Sequence, residues 1–442
     1  MIVICEPQMK GMSHEKVNSG FIYGLRLAYP LEKMLFCADA SQIEAMKNIF
    51  INDHIIIEDL EYLPIEFHTP LSIRGIVEYY NLFQKIFQRA ISGGTNKIFF
   101  LSIHPILLYF IKQIKTKQKF YNIQAAFVLH GEFENIAFDR YKELPVPVFP
   151  SRTVIEKAQS LGFRVLVQKA QLIGFRRLIQ RTIKFVRDRG NDILNKINAS
   201  YSNIFQKSFH IKNAILWRHT ADFHYIVLSP HVINNARQYL DVDKLNFYPV
   251  VMPTVFSSPA PQAVNEFVKF AVFGYGNSEK LHKVALLLSQ KTINKPYEIR
   301  IIGMDNRGTD GFPNIHCVSL GKPMPRKEME EYVHDIDMFL SLYEKDRYRL
   351  SCSASALEAL SYTKPILHFN NDTMNHFNTQ EIPIGYSCAN TEKFVEKMVD
   401  IINNYPAYLP ELHIFRENMF QLREEYAIER SAPVIKSSFT FN

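Results

Sequence analysis

The residues with the clearest chemical potential lie between Ser353 and Phe369, in the run SASALEALSYTKPILHF. A turn of small residues, including Ser353 and Ser355, opens a short helix carrying Glu358, and Pro365 then starts an apolar strand. Backbone amides at a helix start attract an anion. A carboxylate one turn further on accepts two hydroxyls in a fork, which matches a vicinal diol. Phosphate and ribose are such a pair, so the stretch suits a nucleotide-sugar pocket. The alternative reading of Glu358 is an acid favoured near a helix N-terminus by the dipole alone.

Further candidates stand at strand ends. Gly274-Tyr275-Gly276-Asn277-Ser278 follows an apolar run and precedes a helix bearing Lys280 and Lys283. Without Cβ atoms, Gly274 and Gly276 let the backbone approach a phosphate, with Asn277 and Lys280 beside it. Gly303 closes the similar run YEIRIIG. His130 ends the run FVLH, where an imidazole can bond a sugar hydroxyl or a phosphate oxygen, or serve only as a structural donor. His104 is a weaker candidate of the same kind. The stretch Gly11 to Gly20, GMSHEKVNSG, reads as a loop after the first strand, offering His14, Asn18 and Ser19 to a ligand or to solvent. Two Asp-x-Asp sequences, Asp241 to Asp243 and Asp335 to Asp337, follow a helix and precede a strand, whereas a metal-diphosphate motif should close a strand in an N-terminal nucleotide domain. No metal is therefore expected. Walker, HExxH, GxSxG and kinase patterns do not occur, which removes the usual hydrolase and kinase readings.

The segment around Glu358 resembles the donor-binding segment of GT-B glycosyltransferases, particularly the retaining family four. Its neighbours recur in order: FAVFGYG, YEIRIIG, NIHCVSLG and DMFLSLYE, spanning roughly 100 residues with it. The resemblance implies an α/β protein with two Rossmann-like domains facing an interdomain cleft. It implies metal-independent transfer of a sugar from a nucleoside diphosphate, with retention of configuration and with the nucleotide sugar as donor substrate and no other cofactor. In those terms Gly274, Gly276, Asn277, Lys280, Gly303, Ser353, Ser355 and Glu358 are donor-binding, His130 is catalytic, and His14, Asn18 and Ser19 form an acceptor-side loop. Glu358 resembles the second glutamate of the family's motif, whose first glutamate stands eight positions earlier, where this chain has Leu350. Either Glu344 takes that role through a longer loop, or Arg347 and Arg349 bind a diphosphate or an acidic sugar.

These residues need a scaffold of alternating strands and helices. A chain of 442 residues with 47% hydrophobic and 21% charged residues has enough for two or three globular cores. Strands are expected at Ile2 to Cys5, Met34 to Phe36, Ile55 to Ile57, Ile98 to Leu101, Ala125 to Leu129 and Tyr225 to Leu228. Helices are expected near Phe21 to Ala28, at Ile73 to Ile91 and at Ile233 to Leu240. Four prolines between Pro249 and Pro261 read as a hinge. The expected division is an acceptor-side domain over 1–246, a nucleotide-sugar domain over 247–414, and a C-terminal helix and tail over 415–442 that crosses back, the crossing being implied by the resemblance.

Charge is concentrated in one place. Ten Lys or Arg face Asp188 and Asp192 between Gly174 and Arg218, a net +8, while the whole chain is +7. That stretch reads as an amphipathic basic insertion, either packed on the protein's own core or laid on anionic lipid headgroups or a lipid-linked acceptor. Nucleic acid is not expected, since no aromatic interleaving accompanies the charge. Five scattered cysteines and no long apolar N-terminal run point to a reducing cytoplasm, with peripheral attachment to the inner face of the cytoplasmic membrane. The expected partners are a nucleotide sugar and a glycan or lipid-linked acceptor, in bacterial cell-surface polysaccharide synthesis. The rival expectation is a GT-B-shaped binding subunit that has lost catalysis.

Overall fold

The computed structural model describes residues 1–66, 73–137, 210–262, 265–274, 277–303, 309, 311–319, 324, 326–345 and 347–438. The basic stretch between 174 and 209, with Arg176, Arg177 and Arg181, lies outside them, as does Gly276.

The first lobe runs β1 (Ile2–Cys5), α1 (Glu15–Ala28), β2 (Met34–Ala38), α2 (Ala40–Asn52), β3 (Leu60–Pro64), α3 (Ile73–Ser92), β4 (Lys97–Phe100), α4 (Pro105–Lys115), β5 (Gln124–Leu129), α5 (Ile211–Leu216), β6 (Phe223–Val227), α6 (Pro230–Ala236) and β7 (Phe247–Pro249). Its seven strands are ordered β3-β2-β1-β4-β5-β6-β7 and every pair is parallel. The central strands IVIC, KIFF and QAAFVL are apolar on both faces because helices cover both sides of a parallel sheet. After an irregular stretch, the second lobe runs β8 (Lys269–Phe273), α7 (Ser278–Ser289), β9 (Glu298–Ile302), β10 (Ile315–Cys317), α8 (Arg326–Val333), β11 (Met338–Ser341), α9 (Ala354–Ser361), β12 (Ile366–Phe369), α10 (Asp372–Phe377), β13 (Gly385–Cys388) and α11 (Thr391–Asn403). Its order is β10-β9-β8-β11-β12-β13, again all parallel. In both sheets the strand order reverses beside the first strand of the lobe, and the loops beyond the strand C-termini there are where doubly wound sheets place ligands.

Two long helices close the chain, α12 (Tyr405–Glu425) and α13 (Ile428–Ser437). α13 packs on α1 of the first lobe, with Tyr29 Oη donating to Lys436 O at 3.0 Å. Gly20 and Gly24 permit the crossing at the back of the molecule. A Cβ at Gly20 would stand 2.2 Å from Pro253 O of the interlobe segment, and one at Gly24 would stand 2.7 Å from Ile435 Cδ1. One apolar core cluster runs through this junction, from Phe21 and Leu25 through Met252 and Phe273 to Tyr362 and Ile435.

Two local expectations are corrected. Ile55 to Ile57 is not a strand: Ile55 N closes α2 on Phe50 O, Ile56 is 81% exposed, and the edge strand β3 begins only after the left-handed residue Asp59. Residues 15–20 are not loop but the first turns of α1. Asn18 and Ser19 are polar yet buried, Asn18 against Glu6 and Ser19 against its own helix, so this stretch lacks the apolar periodicity that marks the rest of the helix.

Candidate functional site

The site is organised by the N-terminal end of α1. His14 precedes the helix in a left-handed conformation, φ 58°, and caps nothing with its side chain. Such a backbone is uncommon for a side chain other than glycine and is held by its surroundings. Its imidazole instead lies against that of His130, ring centroids 4.6 Å apart, and His14 Nδ1 is buried without a hydrogen-bond partner. His130 follows β5 and places Nε2 2.7 Å from Leu101 O, beyond β4. That contact is a donor contact, so the proton sits on Nε2 and Nδ1 is left as acceptor. Burial first, then the neighbouring His14 charge, pulls His130 down to about 3. His14 is also lowered, by burial. Both imidazoles are neutral at pH 7.

Beneath them, Glu6 follows β1 and is fully buried. It accepts from Gln8 N at 2.9 Å, Met9 N at 3.1 Å and Asn18 Nδ2 at 3.1 Å, and closely from Ser102 Oγ. Burial raises its pKa, although all four hydrogen bonds oppose the rise. Asn18 is therefore engaged in fixing α1 on β1, and Ser19 Oγ donates back to Lys16 O at 2.8 Å. Glu6 was not among the residues expected from sequence, and a lone acid after a first strand carries no pattern that would single it out.

Glu358 projects from α9, and its Oε1 is paired with Lys16 Nζ of α1. The ion pair spans the two lobes. Glu358 Oε2 is buried and has no partner. At the start of α9 the hydroxyls of Ser353 and Ser355 bond one another at 2.9 Å. α1 and α9 therefore meet across the cleft through Lys16 and Glu358, with His14 two residues before Lys16 and His130 against His14.

On the second lobe, Gly274 and Gly303 both have positive φ, 65° and 89°, and lie against each other beyond β8 and β9; a Cβ on Gly303 would be 3.5 Å from Gly274 Cα. Gly303 N donates to Ser319 Oγ at 2.8 Å. Asn277 caps α7 by accepting from Lys280 N at 3.1 Å. Lys280 Nζ is paired with Glu344, touches Thr391 Oγ1 at 3.3 Å and lies over the Phe369 ring.

The segment leading to α9 is clamped to the first lobe. Leu350 is fully buried among first-lobe side chains, and its N–H donates to Glu134 Oε1 at 2.9 Å, where Ser351 Oγ also donates at 2.8 Å. His231 Nε2 lies 3.0 Å from Tyr348 O and 3.1 Å from Ser351 O, while Asn235 Nδ2 donates to Arg349 O at 2.8 Å. The Arg349 guanidinium turns to Gln238 Oε1 at 3.3 Å. A carboxylate does meet this segment, but it is Glu134 from the opposite lobe. No spacing within the second lobe could have shown that.

Other acids have other duties. Asp335 is held by Lys269 and Arg300, and Asp241 pairs with Lys244. Among the described residues no cluster of three or more His, Cys, Asp or Glu could hold a metal ion, and no helix is long and apolar enough to cross a membrane. A surface cavity of about 550 Å³, lined by Glu298, Arg300, Tyr332, His334 and Asp335, lies where β9 begins, at the end of the sheet away from the cleft.

No protein-family model and no curated protein matches the sequence. Solved structures match it along its whole length. A glycosyltransferase from Rickettsia africae ESF-5 superposes with a TM-score of 0.55 at 9% identity, covering 100% of this chain and 99% of that one. HepE of Anabaena in complex with UDP-glucose gives a TM-score of 0.55 at 9% identity, covering 99% and 98%. A UDP-glucosyltransferase from Polygonum tinctorium gives 0.50 at 13% identity, covering 100% and 98%. Likeness at such identities is likeness of fold, and with two parallel α/β sheets meeting across a cleft, the chain has the GT-B fold.

Proposed function

We propose that the protein is a glycosyltransferase that moves a sugar from a nucleoside diphosphate to a hydroxyl of a glycan or lipid-linked acceptor. The observation that carries this reading is the meeting of the His14–His130 pair with the Lys16–Glu358 pair at the N-terminus of α1, beyond the C-terminal strand ends of the first sheet. HepE is a neighbour in complex with UDP-glucose, which supports a nucleotide sugar as donor.

In this reading Glu358 takes ribose hydroxyls, and the glycine turns at 274 and 303, with the amides at the start of α9 and Lys280, face the diphosphate. The acceptor oxygen bonds to the anomeric carbon as the bond to the diphosphate oxygen breaks. His130 is suited to orienting a hydroxyl through Nδ1 rather than to taking its proton, since protonating a group of pKa about 3 at pH 7 costs roughly 5 kcal/mol. His14, lowered only by burial and with Nδ1 unpartnered, is the better proton acceptor. Retention of configuration follows from the family-four resemblance, and direct displacement with inversion is the alternative that a base at His14 would serve. Metal independence, a cytoplasmic site at the inner membrane face and a part in bacterial surface polysaccharide synthesis complete the proposal.

The second reading, a binding subunit without catalysis, is favoured by the burial of Leu350 in the first lobe at the position of the expected glutamate. A thermal-shift screen with UDP, GDP, CDP and ADP and their sugar conjugates separates the two. A transferase gives a selective shift, since ligand binding raises apparent stability by mass action, and loses it in Glu358→Ala. No shift at millimolar nucleotide favours the binding subunit.

A further inference from the structure

We infer that Lys16 is a donor-recognition residue supplied by the first lobe, exchanging Glu358 for the diphosphate when ribose takes the carboxylate. The inference rests on the nucleotide-sugar reading of Glu358 and deepens it by assigning a cation from the opposite lobe to the same pocket.

Four observations lead to it. The Lys16 and Glu358 side chains are 19% and 18% exposed, so the pair is sheltered yet within reach of a ligand entering the cleft. Lys16 satisfies only one carboxylate oxygen: Glu358 Oε2 is buried and unpartnered, and a buried acceptor in that condition gains from any hydroxyl brought to it. Of the side chains flanking the pair, Ser353 bonds Ser355 and Ser19 bonds Lys16 O, while the Tyr362 hydroxyl is buried without a partner beside both charges. Lys280, on the second lobe's phosphate-facing side, is engaged by Glu344.

Charge matching explains why exchange is favourable. A carboxylate shared by a vicinal diol and an ammonium would leave a nucleoside diphosphate, with two or more negative charges, facing amides and a Lys280 already paired with Glu344. Moving the ammonium from Glu358 to the diphosphate gives each charge a partner, the carboxylate through two hydroxyl donors and the phosphate through a charge-assisted hydrogen bond. Because Lys16 belongs to α1, the same exchange would tie donor binding to the first lobe and hold the cleft shut over the reacting sugar.

A plain interlobe salt bridge makes a different prediction from an exchanging one, and calorimetric titration of the full chain with uridine and with UDP tells them apart. In Lys16→Met an exchanging lysine leaves Glu358 uncovered, so uridine binds at least as tightly as to wild type while UDP binds about tenfold more weakly. Lys16→Arg, which keeps the charge, retains most of the UDP affinity and guards against loss of folding as the cause. Equal weakening of uridine and UDP in Lys16→Met, or no change in either, overturns the inference and leaves the donor reading standing. Failure of wild type to bind UDP, GDP, CDP or ADP overturns the donor reading and this inference with it.

Discussion

The lobes meet twice, and α1 takes part in both meetings. At the back, Gly20 and Gly24 bring its backbone against Pro253 and Ile435, Phe21 and Leu25 are fully buried, and Arg423 Nη2 ties α12 to Ser257 O at 2.9 Å. At the front, α1 offers Lys16 to Glu358, while Glu134, His231 and Asn235 hold the segment from Tyr348 to Ser351. The back is apolar close packing, which comes apart only at the cost of exposing a continuous core. Among the described residues the front is, apart from the buried Leu350 side chain, a set of hydrogen bonds and one ion pair, each worth only about 0.5 to 3 kcal/mol net and each replaceable by water or ligand. A cleft that must admit a substrate without losing its shape needs this division, with one seam permanent and the other exchangeable.

The largest effect is expected where that division is most rigid. Gly20→Val drives a side chain into the carbonyl of Pro253, and since the obstacle is backbone it cannot rotate away; a loss of about 3 kcal/mol or more is expected. Urea denaturation would measure it. A loss below about 1 kcal/mol would mean that the back seam yields, and the contrast with the front would fail. Next comes Glu134→Ala, which leaves Leu350 N–H and the Ser351 hydroxyl without their acceptor at a cost of about 1 to 3 kcal/mol. Here the sharper readout is local: proteolysis near Arg347 and Arg349 should speed up by more than the change in global stability accounts for, because opening is confined to the front.

The same contrast explains what the sequence could and could not reveal. Central parallel strands are continuous apolar runs, so Ile2 to Cys5, Ile98 to Leu101 and Ala125 to Leu129 could be placed closely. β3 is an edge strand, LEYLP, with three of its five residues exposed and the other two half-buried, and the nearby apolar triplet at Ile55 stands out more in the sequence. The hydrophobic alternation that reveals a half-buried strand is weak there. In the second lobe the glycine turns and the helix of Glu358 stand close together in sequence, so their chemistry could be read in one pass. Lys16, Glu6 and Glu134 could not. Lys16 sits in a polar first turn that reads as loop, Glu6 owes its role to Ser102 and Asn18, and Glu134 acts on a segment 216 residues away. Groups that work across a cleft leave no local spacing behind.

The smallest expected effect is one of pH, and it belongs to the front alone. His231 is held between Ser229 Oγ at 2.7 Å and the carbonyls of Tyr348 and Ser351, with Thr373 Oγ1 at 3.4 Å and the His376 ring 6.1 Å away. Burial lowers its pKa, and the two carbonyls and Asp372 only partly oppose this. An opened front would return the imidazole to its ordinary value near 6.5. Above about pH 6.5 neither form takes up the extra proton and the closed front keeps its full advantage. Below that the open form binds a proton that the closed form does not, so the advantage declines as the pH falls toward the lowered value. His376, pulled down to about 4 by burial and then by His231, acts in the same direction. Between pH 7 and 5.5 the expected loss is about 1 kcal/mol for each imidazole that opening releases, read as faster cleavage near Arg347 at the lower pH, and smaller in His231→Asn. If the variant keeps the full pH response, the sensitivity lies elsewhere than in the front seam, and the distinction between a titratable front and an indifferent back is lost.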